Sequence, residues 1–158
     1  MKRFFYLSII ALCFAACGHE PPETPIFSVK YYNADGQLVA LKDGQTIEIS
    51  KFDDEGGLPT KLLFKGMIYS EEEFELEVTV TRESVIGTTD DFCSGMNCMP
   101  GNGELTQKFV LLTQEETDFY AHFEAENTGN YKVIYDFHEK EKPNVKIAVT
   151  VIYKYKLS

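Results

Sequence analysis

Apolar residues recur at every second position along most of this chain, and that alternation limits what it can fold into more than any other feature. Successive side chains of a strand point to opposite faces, so a period of two describes a sheet with one buried face and one wet face. The clearest case sets Phe74, Leu76, Val78 and Val80 against Glu75, Glu77, Thr79 and Thr81. Near the C-terminus Val145, Ile147, Val149, Val151, Tyr153 and Tyr155 share a face, with Lys146, Ala148, Thr150, Ile152, Lys154 and Lys156 on the other. Phe119, Ala121, Phe123 and Ala125 repeat the pattern, as do Tyr131, Val133, Tyr135 and Phe137. Weaker strands fit Phe27 to Tyr32, Gln37 to Leu41, Gln45 to Ser50, Lys61 to Tyr69 and Leu105 to Leu112. Asp35-Gly36 and Asp43-Gly44 read as hairpin turns, and Glu55 to Pro59 as a longer loop. From Ile26 onward no stretch carries helical spacing. Strands with one greasy face need a second sheet to cover them, which predicts an all-β, antiparallel sandwich of about 7–9 strands over 26–158.

The segment before that domain is an address. Lys2 and Arg3 open an uncharged, apolar run from Phe4 to Ala16, too short for the roughly 20 residues that a spanning helix needs. The run ends in Phe14-Ala15-Ala16-Cys17, which resembles a bacterial lipobox despite Phe14 standing where leucine is usual. Cys13 follows the bulky Leu12 and is discarded with the leader, residues 1–16. The resemblance implies that the Cys17 thiol takes a diacylglycerol, that the leader is cut before it, and that the new amino terminus is acylated, palmitate being a typical chain. Acyl chains contribute about 0.8 kcal/mol per buried methylene, so the protein is expected to be anchored to a membrane rather than to span it. Residues 17–25 hold three prolines and no periodicity, an extended tether whose eight residues from Gly18 to Pro25 reach about 25 Å at about 3.1 Å per residue. The domain is thus held off the bilayer.

One local pattern narrows the fold. Asn127-Thr128-Gly129-Asn130-Tyr131 precedes the penultimate strand as a tyrosine corner precedes the F strand of immunoglobulin-like domains. Trp is absent, and no cysteine pair is placed to join the two sheets as in antibodies.

Glu83 to Glu104 has little strand character and many turn formers, and it holds Cys93 and Cys98. Long connections of this kind tend to be functional, and two thiols this close in an exported chain are expected to oxidise into a disulfide-closed loop. Phe92, Met96, Asn97 and Met99 combine apolar and amide contact on that tip and are the candidate binding residues; the alternative is that Phe92 tucks inward to plug the end of the sandwich and nothing binds there. No metal site is expected. Zinc needs about four ligands, and His122 and His138 fall on the charged faces of separate strands, away from the cysteines. Asp90, Asp91, Asn97 and Asn102 offer oxygens, yet their spacing matches no calcium-loop template. Asp53-Asp54-Glu55 and Glu71-Glu72-Glu73 read as wet loop surface. No nucleophile elbow, phosphate-binding loop or zinc-protease helix occurs, so no catalytic residue and no cofactor is predicted. A net charge of -10 argues against nucleic acid as a partner, and 158 residues at 44% apolar content suit a single domain.

The order of lipobox, Pro-rich tether, strands, a DDFCSGMNC loop and three closing strands resembles small exported β-sandwich proteins of Bacteroidetes, over roughly Thr88 to Tyr155 and the leader. That resemblance implies an outer-membrane lipoprotein in the cell envelope, since Gly18 is not the aspartate that marks inner-membrane retention. It further implies a non-enzymatic binding, adhesion or accessory role, with an envelope protein or a glycan as partner besides the membrane itself. Two alternatives stand beside it. One is a glycan-directed hydrolase using a carboxylate pair; the other is a structural subunit of an outer-membrane complex, pairing through the exposed edge of its final strand.

Overall fold

The computed structural model describes residues 23–54, 57–95, 97–101 and 103–157. The leader, Cys17, most of the tether, Met96 and Asn102 lie outside the described residues, as does Glu55. Two sheets face each other. One holds β1 (Phe27–Tyr32), β2 (Leu38–Ala40), β4 (Phe52–Asp53), β5 (Leu58–Ser70), β7 (Thr88–Ser94), β8 (Asn97–Gly101) and β10 (Glu116–Ala125). Its strand order is β2-β1-β5-β10-β7-β8, with β4 paired to β5 beside that path. The other holds β3 (Gln45–Ile49), β6 (Phe74–Arg82), β9 (Thr106–Thr113), β11 (Gly129–Glu139) and β12 (Lys142–Tyr155), in the order β3-β12-β11-β6-β9. The architecture is an all-β, immunoglobulin-like sandwich.

The alternation read from the sequence is what closes it. Leu76, Val78 and Val80 of β6, Phe119, Ala121 and Phe123 of β10, Val133, Tyr135 and Phe137 of β11, and Val149, Val151 and Tyr153 of β12 all point inward and are buried. Aromatic rings meet at the centre. Phe64 and Phe119 contact edge to face at 5.2 Å, Phe64 approaches Tyr135 at 5.2 Å, and Phe119 approaches Phe137 at 5.4 Å. Phe123 stacks on Tyr153 across the sheets at 4.6 Å. Tyr135 and Tyr153 share a hydrogen bond of 2.8 Å between their hydroxyls, which satisfies two polar groups that have no water to reach. Burial pushes both phenols well above their ordinary range. Gly66 of β5 makes room for the Phe119 ring of the neighbouring strand, because a Cβ there would collide with that ring and with the Lys30 carbonyl of β1. The tyrosine corner is present: the Tyr131 hydroxyl donates to the Asn127 carbonyl at 2.8 Å at the start of β11.

Several local expectations change. Asp43-Gly44 does not turn a hairpin. It carries the chain from β2 in one sheet to β3 in the other, where Asp43 Oδ1 accepts from the Ala148 N–H and the Gly44 N–H donates to the Ala148 carbonyl, both at 2.8 Å. That switch brings β3 alongside β12 in the same direction, so that among the described strands this pair is parallel and the others are antiparallel. The final strand is not an edge, because β12 lies between β3 and β11. Residues 83–104 are not an irregular loop either, for they contain the β7–β8 hairpin. Three strands, β4, β7 and β8, therefore add to the nine predicted.

Phe92 explains why that hairpin exists. Its ring is 2% exposed and stacks on Phe119 at 5.7 Å, with Tyr135 at 5.9 Å and Phe137 at 6.1 Å. The side chain is part of the core and offers a partner nothing. Phe92→Ala is expected to cost about 3–5 kcal/mol in urea unfolding, the usual scale for deleting a buried ring; a loss below about 1 kcal/mol, the scale of a surface substitution, would place the ring outside the core.

Candidate functional site

The hairpin pairs Asp90 with Gly101, Asp91 with Pro100, Phe92 with Met99, Cys93 with Cys98 and Ser94 with Asn97. Cys93 and Cys98 are joined by a disulfide across the two strands. Asn97 and Met99 lie on β8, the edge of its sheet, and both are exposed. Of the four candidate contact residues the structure thus brings these two to the surface, turns Phe92 inward, and leaves Met96 outside the described residues.

At the root of the hairpin is a buried ion pair that the sequence reading passed over. Arg82, 5% exposed at the end of β6, donates from Nε to Asp90 Oδ2 at 2.7 Å. Its other nitrogens reach the Glu104 carbonyl at 3.1 Å and Gln107 Oε1 at 2.8 Å, and the Gln107 amide donates to the Pro100 carbonyl at 2.9 Å. Arg82 and Gln107 together therefore tie β6, β7, β8 and β9. Burial raises the Asp90 carboxyl above its ordinary range, and the Arg82 hydrogen bond opposes that rise. Gly101 completes the arrangement, since a Cβ there would strike the Asp90 carboxylate. A signal was available. Arg82 continues the inward series Phe74, Leu76, Val78, Val80, and a cation at an inward position requires a buried partner.

The outer face of the same sheet carries a groove of about 590 Å³ lined by Tyr32, Leu58, Leu63, Lys65, Tyr120 and His122, among others. It adjoins a second hollow of about 510 Å³ on the far side of Asp53 and Phe52. The Lys65 ammonium sits 5.3 Å above the Tyr32 ring. Cys98 Sγ lies 3.5 Å from the Tyr120 hydroxyl, and Tyr120 packs edge-on to His122 at 5.3 Å. The disulfide hairpin and the groove are therefore one continuous surface with Tyr120 at the junction. Tyrosines, a lysine and carboxylates on a concave face suit a hydrogen-bonding, hydroxyl-rich ligand or a polar protein loop.

His122 and Asp53 depart from their expected wet positions. Both are on the outer face yet buried, and the Asp53 side chain of β4 reaches the His122 ring of β10. His122 Nδ1 is 2.9 Å from Asp91 Oδ1 and Nε2 is 3.0 Å from Asp53 Oδ2; Lys61 pairs with the other Asp91 oxygen at 3.5 Å. Asp91 also accepts the His122 backbone N–H at 3.1 Å. His138 is likewise covered on the outer face of the other sheet, 3.0 Å from Glu77 Oε1, in a row that runs from Lys108 through Glu77 to Asp136 and Lys146. Hydrogen bonding to Lys108 chiefly holds the Glu77 carboxyl below its ordinary value of 4.5; burial opposes it, and the His138 hydrogen bond adds a smaller lowering effect. Among the described residues no group of three or more His, Cys, Asp or Glu is placed to hold a metal ion.

No protein-family model and no curated protein matches this chain. Solved structures do. The N-terminal domain of PorA is similar at 19% identity and a TM-score of 0.56, covering 82% of this chain and 97% of that one. An ASH/PapD-like domain of human CEP192 aligns at 8% identity and a TM-score of 0.41, over 100% of this chain and 98% of that one. At 19% identity the PorA likeness bears on fold alone, and it agrees with the two-sheet sandwich described above. Fold and surface together define a β-sandwich module whose most elaborated face is a disulfide-closed hairpin beside a polar groove.

Two measurements check the electrostatics. Arg82→Met alone and Asp90→Leu alone should each cost about 3–5 kcal/mol, because each strands a buried charge, whereas the double variant should recover most of that loss. A Glu77 carboxyl that is more acidic when folded stabilises the protein above its unfolded value of 4.5, and that stability disappears as pH falls through the folded value. The stability difference between wild type and Glu77→Gln should therefore shrink on acidification below about pH 4.5 in urea titrations.

Proposed function

We propose that this chain is an exported lipoprotein, anchored in the outer membrane through acylated Cys17, whose sandwich serves as a non-enzymatic binding, adhesion or accessory module. The observation that carries the binding role is the continuity of the hairpin with the groove: the Cys93–Cys98 disulfide pins β8 at the sheet edge, presents Asn97 and Met99, and abuts Tyr120 in the groove wall. The anchor rests on the apolar run, the Ala15-Ala16-Cys17 junction and the proline-rich tether. An envelope protein or a glycan is the partner this face suits, by its mixture of tyrosine, amide, thioether and charged groups.

The carboxylates favour binding over hydrolysis. Asp53 and Asp91 converge beside the groove, but the His122 ring stands between them and hydrogen-bonds towards both, occupying the gap in which a glycosidic oxygen would have to sit.

Mass analysis of the protein from detergent-extracted membranes should find the leader absent and a diacylglycerol on Cys17, and Cys17→Ser should move the protein to the soluble fraction. A bare thiol on an uncut chain would overturn the anchor. For the binding face, partners that co-purify, or bind on a glycan array, should be lost from Asn97→Ala/Met99→Ser while its melting temperature stays within about 2 °C of wild type, as surface changes allow. Unchanged capture would remove the hairpin from the binding surface.

A further inference from the structure

The four sheet edges are not equivalent. β2 has three residues, β3 has five, and β8 has five with Pro100 and a disulfide among them. Shortness, proline and charged side chains, lysine above all, are the usual means by which proteins keep edges from pairing. Of these β9 has only Lys108, whose ammonium is held by Glu77 of β6 at 3.1 Å. It runs eight residues from Thr106 to Thr113, without proline, in unbroken register with β6, and pairs with β6 alone among the described strands. Its outward face carries Val110 and Leu112, 42% and 61% exposed, and Leu105 just before it is 55% exposed. These are three of the larger apolar side chains left in solvent, and they collect on one edge.

Charge says what can cover it. Glu104 lies exposed before the strand and Glu115 and Glu116 lie exposed after it. A second copy pairing antiparallel would bring the Glu104 end of each strand against the Glu115-Glu116 end of the other, and a parallel copy would set each glutamate beside its equal. Like charges oppose both, on a chain of net charge -10. A strand with cationic ends is complementary instead.

We propose that the edge of β9 accepts an extended segment of a partner protein as an added strand, with apolar side chains over Val110 and Leu112 and lysine or arginine near its ends. Backbone hydrogen bonds along the edge give affinity, and the apolar strip with its acidic ends gives register. Eight residues at about 3.3 Å each make a contact about 26 Å long, enough for one complete strand. This surface lies on the opposite sheet from the groove and meets the hairpin on its inward side, where the Gln107 amide donates to the Pro100 carbonyl.

The probe is a synthetic peptide alternating Val and Thr with two Lys at each end, and the control is a scrambled peptide of the same composition. With the full chain, the alternating peptide should slow hydrogen exchange at those amides of Thr106 to Thr113 that point away from β6. Fluorescence anisotropy should show its affinity falling at least about tenfold in Val110→Glu/Leu112→Glu, which removes the apolar strip and, being exposed, leaves the melting temperature near wild type. The scrambled peptide should do neither. Protection elsewhere, or equal binding to the double variant, would overturn the proposal. So would edge amides already protected without peptide: protection that rises with protein concentration would assign the edge to a second copy, and concentration-independent protection to another segment of this chain.

Discussion

The aromatic layer between the sheets is the contact on which everything else rests. Phe64, Phe92 and Phe119 of one sheet meet Tyr135 and Phe137 of the other within ring distances of 5.2 to 6.1 Å. A single antiparallel sheet with one apolar face has no stable existence in water, and burying large rings against a second such face is what removes that instability. Because β7 contributes Phe92 to this layer, the hairpin that bears the candidate binding residues is an extension of the core. Its surface residues are presented from a rigid base.

The disulfide has a smaller part in that rigidity than its conspicuousness in the sequence suggests. Closing so short a loop removes little freedom from the unfolded chain, on the order of 2 kcal/mol in the chain-entropy account. Phe92 and the Arg82–Asp90 pair hold the hairpin to the body, and the cross-link shapes only its outer end, where Cys98 meets Tyr120. Polar groups are handled differently on the two outer faces. His122 finds a hydrogen-bond partner for each ring nitrogen in Asp53 and Asp91, whereas His138 bonds Glu77 through Nε2 and leaves its Nδ1, 3.4 Å from Asp136 Oδ1, without one.

Where the chain could be read by eye and where it could not follows from the range of the interactions. The strands of Phe74 to Val80 and Val145 to Tyr155 were plain because their period comes from the geometry of each strand alone. Tyr131 was legible for a similar reason, since its partner Asn127 is four residues away. The hairpin of 88–101 was missed because its inward set is Asp90, Phe92 and Ser94, two of them polar, and an aspartate points inward only if Arg82 is known to be waiting. Asp53 read as loop surface because its partner, His122, lies 69 positions further along. Groups so far apart in sequence leave no local mark.

The sequence by itself determined the class of the fold and the pairing of Cys93 with Cys98, because each depends on residues within a few positions of one another. Only the tertiary structure decided which edge stays open, which of the two readings of Phe92 holds, and that the disulfide borders a groove. Those outcomes depend on strand order and on the crossing of the chain between sheets at Asp43-Gly44, and strand order is set by contacts between distant segments rather than by the alternation that every strand shares.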